Sequence, residues 1–477
     1  MKHLSLSAPL TAVLLAATSL PALAQMTLPS NADNTCGIDQ TTFDSWFKSG
    51  SASAGGAVGP ADSLTFPPLQ NTKCDFYQWG QQMFLWLTSP AGDGPVLDGT
   101  NFYNVVETGS GFEFQPSGGD GVTLVGVRTI KSEDIGGAGQ AGGSDALISL
   151  GNSATYFGIH TNDIYAQYLT AQMGGAFAGT PLDTNFPISA AEVQQIENTV
   201  GMTFTDAEAM TMELKSAWVD AGTLAAQGLS PNDFVIMNAV VPDFDQSDPT
   251  SWPSNGNTKT VRLAMVGLHI VAPVQGHPEM VWASFEHISN SAEATYFYTE
   301  TGGTTTGSVA YDSAGIWLYL NSGAAEPSAL NSAATYDGSA VAINSIDGTT
   351  PIAAIDVVQK NPWGNAPSND ADIVASNTDL VSLNASVLGM LSGLGDVRSN
   401  YYQLGGIWSQ KGQLPTGDSD SFLRGGLQLA NSTMETFHQF PVSGGGFNPK
   451  SCFGCHNTTG TSGLDLSHIY NSLSPLK

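Results

Sequence analysis

The apolar residues of this chain fall in short clusters separated by Gly, Ser, Thr and Asn, and the spacing within the clusters changes along the chain. From Phe66 to Leu87 the chain is aromatic, and Trp79, Met83 and Trp86 recur at helical spacing, which predicts a short buried helix. Residues 95–160 read as turns and strands, over Asn101–Thr108, Gly121–Thr129 and Ala146–His160. Ser189-Ala-Ala-Glu192 and Thr205-Asp-Ala-Glu208 are capping-box patterns, in which hydroxyl and carboxylate each satisfy a backbone N–H. They predict helices near 189–199 and 205–220.

Val261–Val274 is rich in Val, Leu and Ile, and Met280–Ile288 follows it across a Gly276-His277-Pro278 turn, which predicts an antiparallel pair. Tyr311–Asn321 reads as a further buried strand, and residues 322–370 as turns. Residues 378–395 read as a helix with Leu380, Val387, Leu391 and Leu394 on one face.

Composition supports the many short elements. Hydrophobic residues make up 41% of the chain and glycine is abundant, at 54. The fold class expected is α+β: a β-rich central body of antiparallel sheets with peripheral helices and a C-terminal helical segment packed on it. Four segments are expected: 1–24 as an export signal, 25–60 as a loosely held arm, 61–375 as the β-rich body with inserted helices, and 376–477 as a helical C-terminal region.

The signal reading rests on a short polar start, an apolar run from Leu10 to Leu20, and Ala22-Leu23-Ala24 in the small-x-small cleavage pattern. It implies a periplasmic or secreted protein with no stable membrane insertion after cleavage. The chain carries 42 acidic against 14 basic residues, a net charge of -28, which argues against nucleic acid and anionic lipid as partners. In an oxidising compartment Cys36 and Cys74 are the candidates for a disulfide, worth about 4 kcal/mol in the chain-entropy picture.

Two other cysteines stand together near the end, in Cys452-Phe-Gly-Cys455-His456, the spacing of a c-type haem attachment. Two thiols separated by two residues can each form a thioether with a porphyrin vinyl group, and the adjacent histidine is then held where its imidazole meets the iron. The same residues admit other readings: a small disulfide, a thioredoxin-like redox pair, or zinc held by Cys452, Cys455, His456 and His468. The cofactor expected is one covalent haem c, with His456 as the proximal ligand. For the distal position the nearby candidates are Met434, His438 and His468, with Met434 and His468 preferred, and His287 could approach from the central sheet. Methionine would raise the potential, histidine would lower it, and an open site would admit small ligands. Only 26 residues run from Cys452 to Lys477, too few to cover a haem, so upstream structure must cover it.

Several stretches resemble a family of bacterial exported monohaem c-type cytochromes with a C-terminal haem motif, mostly uncharacterised. They are Gln140-Ala-Gly-Gly-Ser-Asp-Ala-Leu-Ile148, Gly267-Leu-His-Ile270, Trp282-Ala-Ser-Phe-Glu-His-Ile288, Tyr402-Gln-Leu-Gly-Gly-Ile-Trp408 and Leu429-Ala-Asn-Ser-Thr-Met-Glu-Thr-Phe437. The resemblance implies haem ligation by Cys452, Cys455 and His456 and draws attention to Met434, His269 and His287. It implies no substrate. The expected function is single-electron transfer with an exported redox partner protein. The alternatives are a haem-dependent oxidoreductase or peroxidase-like enzyme using Trp282, Glu286 and His287, and a ligand-binding or sensing protein with haem as a structural element. The Gly137-Ala-Gly139-Gln-Ala-Gly142 pattern precedes a strand instead of following one, so it does not read as a dinucleotide fingerprint.

Overall fold

A computed structural model of the chain describes residues 28–66, 73–108, 111–117, 123–124, 146–327, 334–434, 452–458 and 462–477. The export-signal region, His438, the 137–142 glycine pattern and most of 121–129 lie outside these residues.

One large sheet organises the molecule. Its strands are β1 (Phe102–Thr108), β2 (Gly111–Pro116), β3 (Tyr156–Asn162), β4 (Glu213–Asp220), β5 (Ile236–Phe244), β6 (Ser251–Val274), β7 (His277–His287), β8 (Tyr401–Ser409) and β9 (Leu423–Gly425). The main path runs β9-β8-β7-β6-β4-β3-β1-β2 with every neighbour antiparallel, and β5 pairs with the first half of β6. The α+β class with antiparallel sheets and peripheral helices is therefore observed. The hairpin read from Val261–Val274 and Met280–Ile288 is the β6–β7 pair, with Ala283 opposite Ile270 and Phe285 opposite Leu268.

Helix α2 (Lys73–Leu87) is the predicted aromatic helix. It lays Phe84 flat on Phe285, ring centres 4.4 Å apart, and Phe76 on Trp408 at 4.1 Å. These contacts fix which side of the sheet α2 covers. Alternation along β7 then sends Ala283 and Phe285 toward α2 and Trp282, Ser284 and Glu286 to the opposite face. Helix α5 (Ala371–Leu394) opens at an Asp370 cap and stops at Gly395 in the left-handed conformation, seven residues earlier at its start than the apolar pattern indicates.

Four expectations need correction. Ser189–Glu192 does open α4 (Ala190–Val200), with the Ser189 hydroxyl bonded to Glu192. Thr205–Glu208 opens only a three-residue turn, because Glu213–Asp220 is claimed by the sheet between β3 and β6, where ladder bonds on both edges outweigh a local cap. Tyr311–Asn321 is buried at Leu318, Tyr319 and Leu320 yet forms no strand; it packs as irregular chain over the sheet. The arm is not loose over its described part. Helix α1 (Gln40–Ser45) buries Phe43, Trp46 and Phe47 are buried beside it, and Cys36 is bonded to Cys74. Beyond α5, the described residues of the 376–477 segment are helical only in short turns, and β8 and β9 return the chain to the sheet. No described helix is long and apolar enough to cross a membrane.

Candidate haem-attachment site

The sheet face opposite α2 carries the site. Pairing places Glu213 and Lys215 of β4, Gly267, His269 and Val271 of β6, and Trp282, Ser284 and Glu286 of β7 side by side on this face. Two chain segments lie across it: Asn431–Met434 and the C-terminal stretch from Cys452.

Asn431–Met434 is pinned at Glu286, a wholly buried carboxylate. Glu286 accepts from the Ser432 amide at 2.5 Å, from the Ser432 hydroxyl, from Gln359 at 2.7 Å and from Asn290 at 3.2 Å. Burial raises its pKa to about 7 against these donors. Asn431 donates to the Phe285 carbonyl at 2.9 Å. Gly267 lets this segment close on the sheet, since a Cβ there would stand 2.7 Å from the Thr433 hydroxyl.

Cys452–Gly454 forms a single turn, and His456 closes it with its amide donating to the Cys452 carbonyl at 2.9 Å. Cys452 and Cys455 are both thiols. Phe453 is wholly buried and packs edge-on to Trp282. The His456 ring lies 4.3 Å from Trp282. Its Nδ1 lies 2.8 Å from the Leu466 carbonyl. A carbonyl can only accept, so Nδ1 carries the proton and Nε2 presents a lone pair, the form in which imidazole binds a metal. Burial holds His456 well below the usual imidazole pKa. The neighbouring His468 adds to this, with smaller effects from Lys215 and His269, and the Leu466 bond opposes it.

His468 stacks on His456, ring centres 3.7 Å apart, and points Nε2 at the Cys455 carbonyl 3.2 Å away. Burial lowers its pKa to about 4. Ser467 ties the same turn to the sheet, donating to Glu213 at 2.7 Å.

The fold thus brings Cys452, Cys455, His456 and His468 together on one face with Trp282 and His269. Met434 lies further along this face in a separate apolar cluster, wholly buried with Phe157, Ala217 and Val266, while Trp282 and Phe453 belong to the main core cluster. His287 does not reach the site. Pairing of β7 with β6 runs without a break from Val281 to Glu286, and the His287 ring stacks on Phe234 and packs against Tyr401. It donates from Nε2 to the Asp233 carbonyl, Nδ1 faces Ser289, and burial lowers its pKa to about 3. It is a satisfied core histidine. Lys215 and Glu213 carry no local signal, because their nearness to the motif arises from the C-terminal segment docking on the sheet, as in the Ser467 bond to Glu213 across 254 residues.

The donor set fits a c-type haem: two thiols on one turn, a neutral imidazole whose Nε2 carries no proton, and an apolar surround from Trp282, Phe453 and Leu466. It does not form the zinc alternative. Among the described residues, no three of Cys452, Cys455, His456 and His468 bring their ligand atoms within 4.8 Å of one another. The thiols also remain apart from the Cys36–Cys74 disulfide. No family model matches the chain, and neither a curated protein nor a solved structure is significantly similar to it.

Proposed function

We propose that this chain is an exported monohaem c-type cytochrome that transfers single electrons. The observation carrying the reading is the turn of Cys452, Cys455 and His456, with the Nδ1 proton of His456 held by the Leu466 carbonyl. The thiols would hold the porphyrin through thioethers, and the iron it supplies would change by one electron between its two common oxidation states. The chain's own work is to fix that group. The Leu466 carbonyl sets the tautomer and orientation of His456, Trp282 and Phe453 keep water from one side, and the sheet provides a rigid floor. The Cys36–Cys74 disulfide supports an oxidising compartment. The long β body makes the haem part of a larger fold, and a redox partner protein would be met on its surface.

The test is expression with its export signal alongside c-type haem maturation machinery. Haem that stays with the polypeptide on a denaturing gel, lost in Cys452→Ala/Cys455→Ala, and a reversible one-electron couple are expected. A colourless protein with both thiols unmodified would overturn the reading.

A further inference from the structure

On the α2 side of the sheet, away from the haem-attachment face, a cavity of about 170 Å³ opens between the start of α2, the start of β7 and the end of β8. Three of the chain's 14 basic residues meet in its wall: Lys73, Lys411 and Arg424. Among the described residues, no acidic side chain lines it. Among the described residues, no carboxylate lies within 4.0 Å of any of the three cations; Lys73 has a longer-range interaction with Asp379. In a chain of net charge -28 such a concentration of positive charge is out of keeping with the rest of the surface.

The rest of the wall combines a flat aromatic pair with the polar residues His277, Ser409 and Gln410. Phe76 and Trp408 line the cavity as a stacked pair, rings 14° from parallel. The wall also contains Ser409, wholly buried, whose hydroxyl has no hydrogen-bond partner. A buried hydroxyl costs free energy until something bonds it. The cations are positioned. Arg424 is held by the Ser421 and Leu423 carbonyls at 2.9 and 2.7 Å, with Nη2 on the neutral Gln410 side chain. Lys411 adopts a positive φ of 60°, uncommon for a side-chain-bearing residue. The next residue explains how it is kept there: Gly412 approaches so closely that a Cβ would lie 2.0 Å from the Gly276 carbonyl oxygen. Backbone strain fixed by tight packing is a recurring feature of ligand sites.

We infer that this cavity is a binding site for a small planar organic anion, an aromatic or conjugated carboxylate. Its ring lies against Phe76 and Trp408, and its carboxylate is held by Arg424 and Lys411. The volume suits one ring, since a ~150 Å³ cavity in another protein accepts benzene. The site stands on residues outside the haem motif and does not depend on the haem reading.

The experiment uses the full chain with benzoate as probe, followed by calorimetry and by the fluorescence of Trp408. Benzoate is expected to bind one to one, with affinity falling as salt rises. Benzamide, the uncharged analogue, should bind about tenfold more weakly or worse, because it lacks the charge-assisted bonds. Lys411→Gln/Arg424→Gln should weaken benzoate about tenfold or more. If that double variant misfolds, Lys411→Gln alone, at an exposed position, should still weaken it severalfold. No saturable binding, equal binding of benzamide, unchanged binding in a folded variant, or inorganic phosphate preferred over benzoate would each overturn the inference.

Discussion

The imidazoles of His456 and His468 lie face to face, centres 3.7 Å apart and planes within 11°. Two histidines on opposite sides of one iron cannot take this arrangement. With metal–nitrogen bonds of about 2 Å on each side, their ring centres stand about 6 Å apart. As the two rings stand here, His468 would back His456 on the same side of an iron bound at Nε2. In the haem-loaded protein, His468→Ala is expected to leave a low-spin absorption spectrum low-spin. Conversion to a high-spin spectrum would restore His468 as the sixth ligand. Met434→Leu, which preserves an apolar core position, is the parallel measurement; loss of the low-spin bands there alone would assign the position to its sulfur.

The Leu466 carbonyl gives a second handle on His456, reached through Glu213. Ser467 donates to Glu213 at 2.7 Å and meets the Tyr165 hydroxyl at 2.8 Å, so this carboxylate anchors the turn that carries the Leu466 carbonyl. Burial raises the Glu213 pKa to about 7, with the Ser467 bond and Lys215 opposing. The folded state therefore holds a proton that the unfolded chain has released above about 4.5. Stability from this group is present at low pH and declines as pH rises from about 4.5 through about 7. Glu213→Gln keeps an acceptor for Ser467 and removes the ionisation. Its denaturation midpoint should exceed that of the unmodified chain at pH 8, by on the order of 1 kcal/mol or more, and the difference should shrink at pH 5. Equal differences at the two pH values would sink this account.

What the sequence discloses here follows from the range of each interaction. The β6–β7 hairpin, α2 and the Ser189 cap depend on neighbours within about twenty residues, and their patterns are visible in the chain. The turn of Cys452–His456 is local in the same way, since its residues are consecutive. Thr205–Glu208 fails as a helix start because Trp218 and Leu214 are placed by strands far away in sequence. The partners of His456 are invisible to a local reading, since Trp282, Lys215 and His269 reach it only through the sheet register. The cationic cavity is assembled from Lys73, Lys411 and Arg424, separated by more than 300 residues for the first, and no spacing announces it.

Asp396 and Arg398 form a fully buried ion pair at 2.6 Å, and Arg398 also donates to the Leu85 and Gly56 carbonyls. It thereby joins the N-terminal arm, α2 and the turn before β8. Burial works to raise the Asp396 pKa, but bonds from Arg398 and the amides of Arg398 and Gly55 leave it lowered. A depressed carboxylate stabilises above its unfolded pKa, and that contribution fades as pH falls below about 4. Removing one partner strands the other charge in the core. Asp396→Ala is expected to cost about 3–5 kcal/mol in urea unfolding at pH 7, with a smaller cost at pH 3. A loss below about 1 kcal/mol at pH 7 would show that water reaches the guanidinium.

The Cys36–Cys74 disulfide closes a separation of 38 residues and ties the arm to α2, while the Cys36 amide bonds the Ser382 hydroxyl of α5 at 2.9 Å. Cys36→Ala/Cys74→Ala should lower stability by about 2–5 kcal/mol. Hydrogen exchange should localise the loss to α1 and the first turns of α2 before the sheet opens. The reason is the distribution of partners: β6 is bonded along both edges by continuous ladders, whereas the arm meets the body through this disulfide and scattered single bonds such as Cys36 to Ser382, Ile38 to Ser386, Val58 to Ser89 and Gly56 to Arg398. Uniform acceleration of exchange across β6 and β7 would instead mean that the arm and the sheet unfold as one unit. The Cys452–His456 turn docks on the opposite face of the sheet from α2, so on the proposed reading covalent haem loading of this variant should be unchanged. If loading also fell, the disulfide would be supporting the attachment face from across the sheet.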